Sequence, residues 1–189
     1  MSNSSRKILA LDLARVMGAA WRDGDGRIVT RAFVLGKEGL RYVPAHLVEL
    51  EKIVADLIDE SGCDVVSIEK DFGRGKGSTT LRSYHAIARA GAQRKGATPL
   101  CEIMPSTARK LALGYGGGSK PEVERRARTL IPETVGKTND EVDAAILLVA
   151  TEVRLAEQER LAEIRKAAAK AERATKALAR RAAKERATS

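Results

Sequence analysis

The 189-residue chain is poor in the residues that most often advertise a site: two Cys, two His and six aromatics. Cys63 and Cys101 stand far apart and neither belongs to a CxxC pair, which argues against a disulfide scaffold and suits a reducing compartment. His46 and His85 complete no zinc cage with them at any familiar spacing. No apolar run approaches the roughly 20 residues that a membrane-spanning helix needs, and the first, from Ile8 to Leu13, is interrupted by Asp12. Neither a membrane span nor a secretory leader is expected, and the cytoplasm is the expected location. Acidic charge is in deficit as well, with 25 Asp+Glu against 34 Lys+Arg and a formal net charge of +9. That excess implies a polyanionic partner and says nothing of the fold.

What is present is enough for one domain and an appendage. Hydrophobic residues make up 43% of the chain, sufficient for a sizeable core. Residues 151–189 hold 11 Lys/Arg, 6 Asp/Glu and 12 Ala, with no Gly, Pro or aromatic, so helix propensity is high throughout and over half of the excess charge lies there. The expected division is therefore a domain over 1–150 and a basic, Ala-rich helical tail over 151–189. Leu161, Ile164, Ala168, Ala171, Thr175 and Leu178 follow 3/4 spacing, but most are too small to drive a coiled coil. The tail reads as a solvated helix, a basic clamp for nucleic acid or a dimer zipper.

Before residue 150, strand and helix patterns alternate. Lys7 to Leu13 alternates between two faces, with Ile8, Ala10 and Asp12 on one. Two further strand patterns, Gly18–Trp21 and Arg27–Leu35, flank the turn sequence Asp23-Gly24-Asp25-Gly26. The same Asp-x-Asp-Gly occurs in calcium loops, but no Glu follows at the required place. Pro44 opens an amphipathic helix with Leu47, Leu50, Val54, Leu57 and Ile58 on one face, ended by Ser61-Gly62. A strand over Asp64–Glu69, a helix over Thr79–Lys95 capped by Ser78, and a short strand over Pro99–Met104 follow. Ser106 and Ser119 are the expected N-caps of two more helices. Thr138-x-x-Glu141 is a capping box that opens the last helix, which continues into the tail. The expected fold is α/β: a mixed five-stranded sheet, three antiparallel strands and then parallel ones, flanked by helices, with a long C-terminal helix.

Four carboxylates sit where charge is costly. Asp12 lies among Ile8, Leu9, Ala10, Leu11 and Leu13, and Glu69 ends Val65-Val66-Ser67-Ile68. Asp140 and Asp143 are three apart, so they share one face at the first turn of the last helix, and Asp143 runs straight into the apolar stretch Ala144–Val149. Helix capping accounts for Asp140 and leaves Asp143 unexplained. Four such carboxylates would repel one another unless cations neutralised them. Oxygen-only ligation selects hard ions, Mg²⁺ with Mn²⁺ able to substitute, and two such ions in one site can hydrolyse a phosphodiester. An acidic centre in a basic protein is the charge signature of a nuclease.

Ile8-Leu-Ala-Leu-Asp12, Ser67-Ile-Glu69-Lys-Asp-Phe72 and Asn139-Asp140-Glu-Val-Asp143-Ala-Ala145 resemble the three acidic motifs of the RuvC family of Holliday junction resolvases, within the ribonuclease H-like superfamily. The resemblance covers about residues 6–150, and the spacing agrees: 57 residues from Asp12 to Glu69, 71 to Asp140, then three. It implies a structure-selective endodeoxyribonuclease that nicks four-way junctions in pairs as a homodimer, using two divalent ions per active site held by Asp12, Glu69, Asp140 and Asp143. It also implies DNA-contact roles. Phe72 matches a family Phe that touches bases near the crossover, and Arg109 and Lys120, eleven apart around Leu113–Gly118, match two basic residues that contact phosphates. From the residues alone, Phe72 reads equally as a core aromatic and Arg109 as a solvated helix residue.

Phe72-Gly73-Arg74-Gly75-Lys76-Gly77-Ser78 lacks the spacer and the terminal Gly-Lys-Ser/Thr of a P-loop. It reads either as a surface loop or as a basic loop beside Glu69, its glycines allowing a DNA backbone to approach Arg74 and Lys76. The long tail departs from the bacterial family, and short members with divergent ends occur in bacteriophages, so a bacterial or phage-infected cytoplasm is implied. Three alternatives remain open: a ribonuclease H-like nuclease acting on RNA–DNA hybrid or structured RNA, a non-catalytic junction binder, and a nucleotide binder of the actin and sugar-kinase type.

Overall fold

A computed structural model describes residues 6–36, 44–70 and 78–187, with backbone alone at 44–45, 78, 98–101 and 177–187. Three strands come first: β1 (Ile8–Asp12), β2 (Val16–Arg22) and β3 (Ile28–Val34). The helix α1 (Pro44–Ser61), strand β4 (Val65–Glu69), helix α2 (Ser78–Arg94) and strand β5 (Thr98–Ile103) follow. Then come α3 (Pro105–Leu113), α4 (Lys120–Leu130), a 3-10 turn over Pro132–Thr134 and α5 (Asn139–Ala187). The sheet order is β3-β2-β1-β4-β5, with β1–β2 and β2–β3 antiparallel and β1–β4 and β4–β5 parallel. This is the mixed five-stranded sheet expected from the alternating patterns. Among the described residues no helix is long and apolar enough to cross a membrane.

The chain separates into two compact units, Met1–Val153 and Arg154–Ser189. In the first, strand alternation sorts the residues by face. Leu9, Leu11, Met17, Ala19, Trp21, Val66 and Ile68 form one buried cluster with Leu50, Val54 and Leu57 of α1 and Tyr84, Ala88 and Ala92 of α2. Their neighbours in sequence, Ala10, Ala20, Val65 and Ser67, turn to the opposite face and are equally buried there, and Val142, Ala144, Ala145, Ile146, Leu147 and Leu148 of α5 are buried as well. Each fully buried leucine contributes about 2 kcal/mol of apolar burial. Since the side-chain period is two, Asp12 shares the face of Ala10, and Glu69 that of Ser67.

That second face is lined by small residues, and Gly18 is the extreme case. It pairs with Asp12 across the β1–β2 ladder. A Cβ at position 18 would lie 2.5 Å from the carbonyl carbon of Asp140, closer still to its oxygen, and 3.1 Å from Ala144 Cβ. The backbone of α5 therefore rests directly on the sheet at the place where its carboxylates begin, and a side chain at 18 would lift it off.

Polar pins set the register of α5 on that face. The capping box forms: Thr138 N donates to Glu141 Oε2 at 3.0 Å and Glu141 N to Thr138 Oγ1 at 3.4 Å. Glu141 also accepts from Thr30 Oγ1 of β3 at 2.9 Å, a buried bond between side chains 111 residues apart. Ser67 and Thr151 share a buried hydroxyl–hydroxyl bond of 2.7 Å, and Arg22 grips Glu152 through Nε at 2.6 Å and Nη2 at 2.9 Å. One expected cap is corrected. Helix α3 starts at Pro105 with Met104 as its extended N-cap, so Ser106 lies inside the first turn. Proline has a fixed φ and no N–H to leave unpaired, which makes it the natural first helical residue and moves the cap two places earlier, to Met104. Ser119 does occupy the cap of α4, with no side-chain cap hydrogen bond.

In the second unit the chain is helical to Ala187, and every residue from 156 to 176 is exposed. Lys166 pairs with Glu163 and Lys176 with Glu172, both on exposed positions three or four residues apart.

Candidate active site

Three elements bring the four carboxylates together. Asp12 is the last residue of β1 and Glu69 the last of β4. The parallel register Leu11↔Ile68 carries one step further to set them side by side at the C-terminal ends of two central strands. Asp140 and Asp143 enter from the first turns of α5, seated by Gly18. All four are half-buried.

The electrostatics record the crowding. Burial, followed by repulsion from Glu69, Asp143 and Asp140, raises the Asp12 carboxyl from 3.8 to about 8, with Lys120 opposing the shift. Burial and Asp143 raise Glu69 from 4.5 to about 7 against the pull of Arg109. Asp143 is raised by burial and by Asp140, with Lys120 and Arg109 pulling the other way. A cluster whose members push each other toward protonation carries more negative charge than its surroundings offset. Glu141, one residue along, behaves differently. Its burial is outweighed by hydrogen bonds from Thr138 and Thr30 and by Lys137, so its carboxyl is held below the usual range. It serves the fold while its neighbours remain short of partners.

Two cations stand at the rim. Lys120, first residue of α4, holds its ammonium 3.9 Å from Asp143 Oδ2. Arg109 of α3 acts on both Glu69 and Asp143. The two basic residues expected to bracket a glycine loop thus face the acidic centre across that loop. Phe72, Arg74 and Lys76 lie outside the described residues.

The donor chemistry fits a hard divalent cation: oxygen ligands only, partly shielded from water and with unmet negative charge. Among the described residues no three His, Cys, Asp or Glu side chains lie close enough together to hold one ion as they stand. Asp12, Glu69, Asp140 and Asp143 are the groups that would hold the cation.

The sequence reading overlooked Gly18, Thr30 and the Ser67–Thr151 pair. A signal existed for the first, since an isolated Gly inside a strand marks a close backbone approach. A buried Thr or Ser on a strand has no local signature of its partner.

No family model matches the chain. A curated relative, the crossover junction endodeoxyribonuclease RuvC of Corynebacterium diphtheriae, is 33% identical over 136 residues, covering 67% of this chain and 80% of the relative. Its counterpart in Gluconobacter oxydans is 28% identical over 139 residues, covering 71% and 82%. Among solved structures, Thermus thermophilus RuvC in complex with a Holliday junction substrate shares the fold, with a TM-score of 0.63 over 77% of this chain and 92% of that one at 12% identity.

Proposed function

The chain belongs to the RuvC family of crossover junction endodeoxyribonucleases, and from that premise we propose that it resolves four-way DNA junctions by metal-dependent phosphodiester hydrolysis at Asp12, Glu69, Asp140 and Asp143. The observation that carries this reading is the meeting of four mutually repelling carboxylates from β1, β4 and α5, with Lys120 and Arg109 at the rim. Two Mg²⁺ ions per site, with Mn²⁺ able to replace them, would supply Lewis acidity that activates water and stabilises the leaving oxygen.

The rest is the work of this chain's own side chains. Asp12 and Glu69, on rigid strand ends, fix one side of the donor set, and Asp140 and Asp143 close it from the helix. Lys120 and Arg109 attract the scissile phosphate and offset the charge that develops on it. In-line attack leaves a 5′-phosphate and a 3′-hydroxyl. A four-way junction has two-fold symmetry, so paired nicks are made most simply by a C2 homodimer. Phe72, Arg74 and Lys76, which follow Glu69 in the sequence, supply base and phosphate contacts, and the basic tail supplies sequence-independent phosphate affinity.

Labelled four-way junction, flap and RNA–DNA hybrid, incubated with Mg²⁺, Mn²⁺ or Ca²⁺, test the reading beside Asp12→Asn. Wild type is expected to nick the junction in symmetric pairs with Mg²⁺ or Mn²⁺. The variant should bind it and cut it on the order of 10³-fold more slowly. Equal cutting by the variant, or Ca²⁺ as effective as Mg²⁺, rejects the carboxylate–metal mechanism, and preference for the hybrid rejects the junction as substrate.

A further inference from the structure

Of the six aromatics, Tyr42 and Phe72 lie outside the described residues, Trp21 and Tyr84 are buried, and Phe33 packs against the core. Tyr115 is the exposed one among those described, with 48% of its surface open. It sits in the turn from α3 to α4, and the turn is built around its ring. A Cβ at Gly117 would lie 2.9 Å from the Tyr115 hydroxyl oxygen and 3.1 Å from Cζ, and one at Gly118, where φ is +98°, 3.5 Å from Cε1. A Cβ at Gly116 would lie 2.7 Å from the Ser106 carbonyl oxygen, so the turn is also seated on the start of α3. The Arg126 guanidinium stands over the ring, 5.1 Å from its centroid, a cation–π contact that restrains the ring without burying it.

The location gives this ring a use. Five residues later the same turn delivers Lys120, whose ammonium is 3.9 Å from Asp143. Residues 105–130 carry six Lys/Arg and two Asp/Glu, so the surroundings attract phosphate. A restrained aromatic among cations is what stacking on single-stranded nucleic acid requires, and every base offers a π-face. Bases inside a duplex are already stacked on each other. A branch point can present an unpaired or splayed one.

We propose that Tyr115 is a base-stacking platform that receives an unstacked base at the branch point of the DNA junction, adding affinity for branched over duplex DNA without sequence preference. This rests on the junction-resolving reading and extends it to a residue outside the acidic cluster and its two rim cations. Arg126 restrains the ring, and the turn closes on it at Gly117 and Gly118, where a side chain would press against the ring, so that the part of the ring left exposed is held in a fixed place.

The test uses the full chain in Ca²⁺ with a four-way junction carrying 2-aminopurine at successive positions around the crossover, beside a duplex of the same sequence. Wild type and Tyr115→Phe are expected to quench the probe at one position and bind the junction equally. Tyr115→Ala and Tyr115→Leu are expected to lose that quenching and about tenfold in junction affinity, with duplex affinity unchanged. Leucine is the decisive variant, because it fills the turn without a π-face. If it matches phenylalanine, or if all four proteins bind alike and quench alike, Tyr115 only packs the turn and the inference falls. A wild type that binds junction no better than duplex overturns the junction reading itself, and this inference with it.

Discussion

Residues 139–153 and 156–176 lie on one continuous helix and are made to opposite specifications. In the first, Val142, Ala144, Ala145, Ile146, Leu147, Leu148 and Ala150 are buried, and the polar residues Glu141 and Thr151 are buried with named partners. In the second every residue is exposed, and the ion pairs are between neighbours three or four apart. Helix propensity serves both and distinguishes neither. The first stretch has to place two short carboxylates to within a fraction of an ångström, so it depends on the size of the residue it rests on and on polar bonds that admit one register. The second needs only a sign of charge, and exposed pairs of this kind contribute little to stability.

Gly18→Ala is the sharpest way to break that contrast, because it adds one methyl group under the precise stretch and changes no charge. The Asp140 carbonyl leaves no room for it. The backbone of α5 must shift, at a cost of about 1–3 kcal/mol in overpacking. A displacement near 1 Å at Asp140 and Asp143 is expected to slow junction cleavage about a hundredfold, with junction affinity in Ca²⁺ unchanged. Single-turnover rates beside equilibrium binding give the answer. An alanine variant that cuts at the wild-type rate would show that position 18 does not seat the helix.

Protonation separates the two stretches next, since the precise one faces Asp12 and Glu69, whose carboxyls are raised to about 8 and about 7. The folded state therefore keeps protons that the unfolded chain releases above pH 4. In chelator, the contribution of these two carboxyls to stability should be fully present below that pH and fall as pH rises toward 8. Melting temperature is expected to drop by several degrees between pH 5.5 and pH 8, at about 2–4 °C for each kcal/mol. Asp12→Asn should flatten that slope and raise the melting temperature at pH 8, and Mg²⁺ should do the same for wild type by replacing the protons. A flat wild-type profile in chelator would mean that the carboxylates do not strain one another.

How much of this could be read in advance follows from how local each cause is. The alternation over Lys7–Leu13, the strand pattern over Asp64–Glu69, the apolar face of α1 and the Thr138–Glu141 box are complete within a few residues, and they correspond to β1 (Ile8–Asp12), β4 (Val65–Glu69), α1 and the start of α5. Ser106 does not cap its helix because Pro105, its neighbour, takes the first helical position. Harder to see were Gly18 under Asp140, Thr30 on Glu141 and Ser67 on Thr151. Those partners are more than 80 residues apart and meet only once the sheet exists. Asp12, Glu69 and Asp143 stand out as charges beside apolar residues, and Asp140 through the helix face it shares with Asp143, while the pins that hold them look like ordinary strand residues.

Thr30→Val tests one pin alone. The substitution keeps the shape and removes the hydroxyl that donates to Glu141 Oε1 at 2.9 Å. Thr138 still serves Glu141 through its N–H at 3.0 Å and its hydroxyl at 2.9 Å, so the carboxylate is left one partner short. Denaturant unfolding should show a loss of about 1–2 kcal/mol, and cleavage should fall far less than with Gly18→Ala because the other fasteners remain. A loss as large as that of Gly18→Ala would mean that Glu141, and with it the capping box, carries the placement of the acids.

The smallest effect is expected from the exposed stretch. Deleting the chain after Arg165 removes eight Lys/Arg and two Asp/Glu and leaves Asp12, Glu69, Asp140 and Asp143 in place. Charge without fixed position acts through counterion release, so the loss should be a few-fold in junction affinity at low salt and should fade as salt rises, each lost phosphate contact lowering the salt slope by about 0.9. The cleavage rate at saturating protein should not change. Unchanged affinity at moderate salt would return the tail to a merely solvated helix. Leu161 and Ile164, 46% and 54% exposed, keep a third outcome distinct: if the truncated protein loses affinity equally at all salt concentrations and sediments as a smaller species, the helix joins two copies of the chain. Salt dependence separates the three, because only a phosphate clamp weakens selectively as counterions accumulate.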